Sequence, residues 1–167
     1  MIITDEKLLR VKCEDVLPNE VGELVDLLER ELKLAPSGIG LAAPQIGVAK
    51  NIAIVRINDK YSINLINCHI KQGFDEAIFE DEGCLSFPGK FVKTMRYNEI
   101  YVVENLVEPR SFIAHGLPAV VIQHELNHLN GILLPDLEIK EKIKTKVRPN
   151  DPCDCKSGKK AKKCCHQ

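Results

Sequence analysis

The chain has 167 residues, which is long enough to bury one sizeable core and too short for two domains of ordinary size. Apolar residues make up 44% and charged residues 28%, a globular composition, and no apolar run approaches the ~18 residues that a membrane span needs. Residues 1–16 mix acids with bases and resemble neither a secretory signal nor a transit peptide. We therefore expect a cytoplasmic protein with no membrane partner.

Charge is unevenly distributed along the chain. Residues 1–139 contain 13 Lys and Arg against 21 Asp and Glu, a net charge of −8, whereas residues 140–167 contain 10 against 3, a net charge of +7. A basic end of this kind is either a solvated terminus or a contact for an anionic partner such as ribosomal RNA. The odd number of seven cysteines favours reduced thiols or metal ligands over disulfides.

Apolar periodicity predicts the elements of the first two thirds of the chain. Residues 20–34 place apolar side chains at helical spacing with acids between them, which predicts an amphipathic helix ending before Pro36. A turn is predicted at residues 36–40. Segments rich in β-branched residues then predict three strands, at residues 51–57, 63–70 and 91–104. A turn near Asn58 and Asp59 is predicted between the first two strands.

The last third of the body returns to helical periodicity. Residues 118–130 predict a helix, with Pro118 suited to its first turn and Gly131 in the position that ends it. A shorter, charged helical stretch is predicted at residues 135–147. Helices and strands in this order indicate an α+β fold.

The helix predicted at residues 118–130 carries the motif H-E-x-x-H in His124, Glu125 and His128. The four-residue spacing sets both imidazoles on one helix face, one turn apart, so that both can bind one metal ion. Glu125 lies beside the first ligand and can act as general base toward a water whose pKa the ion lowers. The motif therefore predicts a catalytic metal centre.

A catalytic metal of this kind usually takes three protein ligands and keeps one position open. A metzincin would need a third histidine at position 134, but Leu134 stands there and cannot bind metal. A thermolysin-like protease would need a downstream glutamate, and only Glu138 and Glu141 follow, close by and among lysines. Upstream, Cys84 lies in the segment EGCLS, and its thiolate is a good third ligand.

Three separated blocks of the sequence resemble the peptide deformylase family, in the family's own order. They are GIGLAAPQ at residues 38–45, EGCLS at residues 82–86 and QHELNHL at residues 123–129. The likeness extends from about Asp5 to Asp136. The chain departs from the family pattern at Asn127, where an aspartate is usual, and at Cys68, where a proline is usual. Asn127 lies between the two histidines, so this change affects hydrogen bonds around the ligands more than ligation itself.

The resemblance implies a deformylase fold, in which antiparallel sheets surround a central helix with the H-E-x-x-H motif. It implies ferrous iron, replaceable by zinc, nickel or cobalt, on Cys84, His124 and His128, with Glu125 as the base. It also implies that the Gln45 amide and the Leu85 backbone N–H donate to the formyl oxygen as an oxyanion hole. The implied substrate-binding residues are Ile39, Gly40, Gly83, Val120 and Val121.

The implied reaction is hydrolysis of the formyl group from formyl-methionyl nascent peptides by a monomeric enzyme. The glycines around Ile39 let the backbone approach a ligand and pair with an extended peptide. Ile39, Val120 and Val121 suit a pocket for the methionine side chain, and they suit an ordinary core equally well. Two alternative functions remain at this point. One is a zincin-type peptidase that has no need of Cys84, and the other is an inactive deformylase-like fold serving as a binding module.

The end of the chain carries a second set of candidate metal ligands. The spacing C-x-C-x8-C-C-H offers Cys153, Cys155 and Cys164, with Cys165 as fourth ligand and His166 as the alternative. Four soft ligands in a short polar segment satisfy tetrahedral zinc, and the segment has no other means to fold. It resembles the SEC-C zinc tail. The alternative is a disordered basic tail with reactive thiols. We expect a catalytic domain at residues 1–148 and a zinc tail at residues 149–167, the latter a candidate contact with the ribosome.

Overall fold

The computed structural model describes residues 1–58, 60–105, 109–140, 150, 152–153, 155 and 157–164. The described part contains three α-helices, α1 (Glu6–Leu9), α2 (Val21–Lys33) and α3 (Leu117–Leu129). Six strands accompany them, namely β1 (Gly40–Ala42), β2 (Ile52–Asn58), β3 (Tyr61–Ile66), β4 (Cys68–Gly83), β5 (Phe91–Glu104) and β6 (Arg110–His115). Short 3-10 turns lie at Ala43–Ile46, Leu134–Leu137 and Ala161–Lys163.

The first sheet is antiparallel in the order β1-β2-β3 and is covered on both faces. Successive side chains of a strand point to opposite faces, so β2 divides its apolar residues between two clusters. Ile52 and Ile54 pack with Leu28 and Leu32 of α2, while Ala53 and Val55 pack with residues of α3. The near-continuous apolar sequence of β2 follows from this double burial.

The second sheet is antiparallel in the order β4-β5-β6 and buries one face. On β5 the even-numbered residues other than Asn98 are buried, and Ile100 and Val102 join the cluster that contains Ile122 and Leu126 of α3. The helix α3 therefore packs against strands of both sheets. The H-E-x-x-H motif lies on this helix, and Cys84 directly follows β4, which contacts the helix.

The predicted helix at residues 20–34 and the strand at 91–104 are confirmed, with α2 one residue shorter at each end. The strand predicted at residues 63–70 is wrong, because it is two strands in two sheets. Asn67 separates them with a left-handed φ of 52°. Its side chain exchanges hydrogen bonds with the backbone of Val16, accepting at 2.7 Å and donating at 3.0 Å, so the chain crosses between the sheets at this residue.

The charged helix predicted at residues 135–147 is also wrong within the described residues. Only the 3-10 turn Leu134–Leu137 forms, and Glu138 to Lys140 have no regular structure. The Ile139 backbone N–H donates to the Lys93 carbonyl of β5 at 2.8 Å instead of to a carbonyl one helical turn earlier. Residues 141–147 lie outside the described part of the chain. No described helix combines the length and apolar character that crossing a membrane requires.

Candidate active site

Helix α3 carries both histidines of the motif. Pro118 occupies its first turn and Gly131 follows its end with a left-handed φ of 71°, as the sequence predicts. One helical turn separates His124 and His128, whose ring centroids lie 5.0 Å apart. Both rings point toward the end of β4, where Cys84 follows directly after the strand.

Cys84, His124 and His128 come together as the sequence predicts. One ligand atom from each lies within 4.8 Å of the other two, and His128 Nε2 is 3.2 Å from Cys84 Sγ. A thiolate and two imidazoles are the soft and intermediate donors that zinc and ferrous iron accept. Three protein ligands leave a fourth position open in a tetrahedral site, so these residues fit a metal ion of the catalytic kind.

Glu82 fixes the orientation of His124, a role that the sequence analysis missed. His124 Nδ1 donates to Glu82 Oε1 at 2.6 Å, which directs the other ring nitrogen toward Cys84. Glu82 is buried and also accepts hydrogen bonds from Thr94 Oγ1 and from Arg96, whose Nε lies 2.7 Å from Glu82 Oε2. Its position beside Gly83 and Cys84 in one motif was the available signal.

Arg96 is the second residue that the sequence analysis missed. It is buried on the inward face of β5, where its guanidinium forms an ion pair with Glu82. Arg96 Nη1 also donates to Asn127 Oδ1 at 2.6 Å, so Asn127 belongs to the hydrogen-bond network around the ligands, as predicted for this departure from the family pattern. An arginine at a position where the alternating pattern of a strand predicts burial indicates a buried partner for its charge.

The network sets the protonation of the two histidines. Burial acts to lower the pKa of His124, but hydrogen bonds with Cys84 and Glu82 outweigh it and raise the pKa to about 10. Burial and then the charge on His124 lower the pKa of His128 to about 3. His124 thus keeps a positive charge beside the Cys84 sulfur, and a divalent cation on the same atoms would supply that charge instead.

Glu125 projects from α3 into the site and is 3% exposed. Its Oε2 has no hydrogen-bond partner among the described residues. Burial raises the pKa of Glu125 to about 7, against the opposing charge on His124, so its carboxyl group can both take and release a proton near neutral pH. A Cβ at Gly40 would lie 2.3 Å from Glu125 Oε1, so Gly40 makes room for this carboxylate. The sequence analysis attributed Gly40 to substrate contact alone.

Gln45 is fixed beside the three ligands. It is 1% exposed, and its Oε1 accepts from the Ala42 backbone N–H at 2.9 Å. This bond aims Nε2 at Ser86 Oγ, 3.1 Å away, and at Cys84 Sγ, 3.7 Å away. The Leu85 backbone N–H has no hydrogen-bond partner within the described part of the chain. Gln45 and Leu85 both line the same cavity.

A cavity of about 500 Å³ adjoins these residues. All five predicted substrate-binding residues line it, although Val121 also packs in the main core. The sequence analysis missed several apolar lining residues, because they lie outside the three blocks or were given no role. They are Phe79, Phe87, Phe91 and Leu117.

A second cluster lies in the tail. The Cys153 backbone N–H donates to the Lys159 carbonyl at 2.8 Å, and Gly158 turns the chain with a φ of 74°. This turn brings the sulfur atoms of Cys153, Cys155 and Cys164 within 4.8 Å of one another. The predicted fourth ligand, Cys165, and its alternative, His166, lie outside the described residues.

A buried carboxyl group that titrates near neutrality, placed beside ligands for a metal ion, is typical of hydrolases that activate water. Comparison with known proteins gives the family. The model of the polypeptide deformylase family matches residues 1–144. Peptide deformylase 1 of Bacillus anthracis is 41% identical over 132 residues, covering 76% of this chain and 83% of that protein. The chain belongs to the peptide deformylase family, and it is a hydrolase.

Solved structures agree with this assignment. The peptide deformylase of Thermotoga maritima superposes with a TM-score of 0.74 at 30% identity, covering 84% of this chain and 97% of that one. The Acinetobacter baumannii enzyme with Met-Ala-Ser bound gives a TM-score of 0.72 at 28% identity, covering 82% and 96%. The fold is therefore the deformylase fold, with antiparallel sheets and few helices.

Proposed function

We propose that this chain removes the formyl group from formyl-methionyl nascent peptides in a metal-dependent hydrolysis that releases formate. One observation carries the proposal: the ligand atoms of Cys84, His124 and His128 lie within 4.8 Å of one another, next to the buried carboxylate of Glu125. The family, the fixed donor on Gln45 and the apolar cavity support the same reaction. The chain is proposed to act as a monomer in the cytoplasm.

The substrate class rests on the cavity and on the relatives. The cavity is lined mainly by aliphatic and aromatic side chains, which suit the unbranched apolar side chain of methionine. The Acinetobacter baumannii relative binds Met-Ala-Ser, a peptide that begins with methionine. A formyl-methionyl peptide placed in this cavity would put its formyl group near Gln45 and Glu125.

Cys84, His124 and His128 would hold the metal, for which we propose ferrous iron in the cell. A divalent ion there would lower the pKa of a water molecule and withdraw electron density from the formyl carbonyl. Glu125 accepts a proton from the attacking water molecule as the water oxygen bonds to the formyl carbon. Gln45 Nε2 and the Leu85 N–H donate to the formyl oxygen as it gains charge. Glu125 then passes the proton to the amine nitrogen as the C–N bond breaks.

The decisive measurement is formate release from formyl-Met-Ala-Ser by full-length protein loaded anaerobically with iron. We expect turnover with this peptide, no cleavage of its internal peptide bonds, and loss of turnover in Glu125→Ala. Unformylated Met-Ala-Ser serves as the control for peptidase activity. Cleavage of internal bonds without formate release would overturn the proposal in favour of a zincin-type peptidase.

The identity of the metal has its own test. A site with a thiolate ligand and an open position exposes ferrous iron to oxygen. We expect the iron form to lose activity in air faster than the nickel or cobalt form of the same preparation. Equal rates of decay for the three forms would contradict iron as the native metal.

For the tail, we propose a structural zinc ion on Cys153, Cys155, Cys164 and Cys165, within a unit at residues 149–167 that follows a catalytic unit at residues 1–148. The sulfur atoms of Cys155 and Cys164 lie 3.4 Å apart, which supports a shared ligand. Hydrogen bonds with Ser157, and then with Cys153 and Cys164, lower the pKa of Cys155 to about 6, which favours the thiolate that zinc binds.

We further propose that the basic tail contacts ribosomal RNA, since residues 140–167 carry a net charge of +7. Co-sedimentation of the protein with ribosomes should fall as salt is raised, because salt screens and displaces such contacts. The Cys155→Ser variant should co-sediment less than the unaltered chain at equal salt. Equal co-sedimentation at low and high salt would contradict an electrostatic contact.

A further inference from the structure

The cysteines of the tail differ in how far solvent can reach them. Cys155 is exposed and Cys164 is half-buried, whereas Cys153 is 3% exposed. In the catalytic centre, by contrast, a single cysteine faces two histidines. The tail therefore brings together two cysteines that are not buried.

The sulfur atoms of Cys155 and Cys164 lie 3.4 Å apart. Two thiolates on one tetrahedral zinc ion, each ~2.3 Å from the metal, would lie about 3.8 Å apart. A disulfide bond joins its two sulfur atoms at about 2.05 Å. The contact lies between these two distances, so a movement of about 1.4 Å would turn it into a covalent bond.

The backbone of the tail holds the two cysteines in this arrangement. The Cys153 N–H donates to the Lys159 carbonyl at 2.8 Å, and Pro152 pairs with Lys160 in an antiparallel bridge. These contacts bring the segment before Cys155 beside the segment that leads to Cys164. Joining the two sulfur atoms therefore needs only a local adjustment of the chain.

A hydroxyl group lies against both sulfur atoms. Ser157 Oγ is 3.1 Å from Cys155 Sγ and 3.2 Å from Cys164 Sγ. A serine hydroxyl can donate one hydrogen bond and accept others, so it can serve either sulfur atom as its charge changes. The segment between the two cysteines, residues 156–163, contains five Lys and no Asp or Glu, and nearby positive charge promotes the reactivity of thiols.

We propose that Cys155 and Cys164 form a redox modification site, at which a hydroperoxide converts the two thiols to a disulfide bond. The reaction removes two of the four ligands proposed for zinc. The inference goes beyond the deformylase reaction, and it rests on the proposed tail zinc site only for its effect on metal binding.

The reaction begins at Cys155, the more exposed of the two cysteines. Its thiolate sulfur attacks the terminal oxygen of the hydroperoxide, the O–O bond breaks, and the leaving oxygen takes a proton to become an alcohol or water. The Cys164 sulfur then attacks the sulfur of the resulting sulfenic acid. The S–O bond breaks, and hydroxide leaves as water with the proton of the Cys164 thiol. Two electrons thus pass from the two sulfur atoms to the hydroperoxide.

Treatment of the full-length protein with hydrogen peroxide tests the inference. We expect a disulfide that links the tryptic peptides 147–156 and 164–167, seen by mass spectrometry and reversed by dithiothreitol. The rate of linkage should not depend on protein concentration, because the bond forms within one chain. Irreversible oxidation of Cys155 with no linked peptide would overturn the proposal.

Each of these peptides contains a second cysteine, so variants must assign the pair. A chain with both Cys153→Ser and Cys165→Ser should still form the linked peptide. Either Cys155→Ser or Cys164→Ser should slow the linkage about tenfold or more. Cys13→Ser is the matched control, because it removes a thiol outside the tail, and it should keep the rate of the unaltered protein. An unchanged rate in Cys155→Ser or Cys164→Ser would show that another pair reacts, which would overturn the assignment.

Zinc separates this inference from the proposed tail site. In protein with nickel in the catalytic centre and zinc in the tail, peroxide should release zinc in step with the disulfide, and excess zinc should slow both. If the tail binds no zinc, the proposed zinc site fails, while the linked peptide still decides the redox pair. If the tail binds zinc and peroxide links no peptides, the redox inference alone is wrong. Neither outcome depends on hydrolysis of a formyl peptide.

Discussion

The two cysteine clusters of this chain differ in how the protein supports them. In the catalytic centre, Cys84 and the two histidines are held by a strand end and by α3, with Glu82 and Arg96 buried behind them. In the tail, Cys153, Cys155 and Cys164 are held by a turn of a few residues, and Cys155 is exposed. The fold itself holds the first cluster in place, whereas we expect the second to depend on a bound metal ion for its stability.

The comparison predicts where a mutation costs activity. Replacing Glu125 with Gln keeps its size and removes its ability to take a proton. We expect kcat to fall by about 10²–10⁴-fold, the usual contribution of a general base. Metal content, measured by elemental analysis, should stay that of the unaltered protein, because Glu125 is not among the proposed ligands.

Cys84→Ser makes the contrasting change within the same centre. A neutral alcohol replaces a charged soft ligand, so most activity should be lost together with weakened or altered metal binding. Full activity with unchanged metal content in this variant would show that Cys84 is not a ligand.

The free energy of unfolding should depend strongly on Glu82 and Arg96, which are buried behind the ligands. Arg96→Ala leaves the buried Glu82 without the guanidinium that pairs with it, which should lower the free energy of unfolding by about 3–5 kcal/mol. Arg10→Ala is the matched control, because Arg10 also donates two hydrogen bonds to one carboxylate, Asp136, but both side chains are exposed. Its cost should stay below about 1 kcal/mol. Urea titrations of the three proteins make the comparison, and equal costs would contradict the importance of burial.

The sequence predicted the ligands better than it predicted the network that orients them. Cys84, His124 and His128 follow from motif spacing and from the family resemblance, and the structure brings them together. Arg96 is 14 residues from Glu82 along the chain, and their contact depends on the strand register of β4 against β5. Sequence periodicity predicts that β5 alternates, but it does not predict the register that places Glu82 opposite Val92, on the same face of β5 as Arg96.

The prediction of secondary structure failed where polar side chains or tertiary contacts determine the structure. Asn67 looks like a strand residue within an apolar stretch, but its side chain bonds the Val16 backbone and the strand ends there. The long strand β4 has too many charged residues for its periodicity to indicate a strand, and it forms because β5 pairs along its length. The apolar pattern of α3, in contrast, predicted its limits to within one residue.

Thiol reactivity should separate the body of the protein from its tail. Burial raises the pKa of Cys13 to about 11 and that of Cys68 to about 12, so both stay protonated and unreactive at pH 7. Hydrogen bonds with Ser157 lower the pKa of Cys155 to about 6, so this thiol is mostly thiolate at the same pH. In protein stripped of metal, iodoacetamide should modify Cys155 about a hundredfold faster than Cys13.

The rate of modification should depend on pH in a different way for each thiol. Modification of Cys13 should accelerate about tenfold for each pH unit between 7 and 10, whereas that of Cys155 should change little above pH 7. Peptide mapping by mass spectrometry measures both rates. Added zinc should protect Cys155, and equal modification of Cys155 with and without zinc would contradict the proposed tail site.

The smallest effect is expected from removing the tail. A chain ending at Val147 lacks all the proposed tail ligands, while the catalytic ligands are complete by His128. It keeps Glu138 and Ile139, whose contacts with Lys90 and Lys93 lie beside the cavity. We therefore expect it to bind roughly one metal ion instead of two and to hydrolyse a short formyl peptide within a few-fold of the full-length rate.

Elemental analysis and formate release on the same preparations test this division between the two clusters. Cys155→Ser in the full-length chain is the milder control, because it weakens the tail site and leaves the chain length unchanged. It should also retain the rate of hydrolysis. If the shortened chain stays folded, as circular dichroism would report, and yet fails to hydrolyse the short peptide, then the tail contributes to the active site. The support that α3, β4 and β5 give to the catalytic centre would then not be enough for activity.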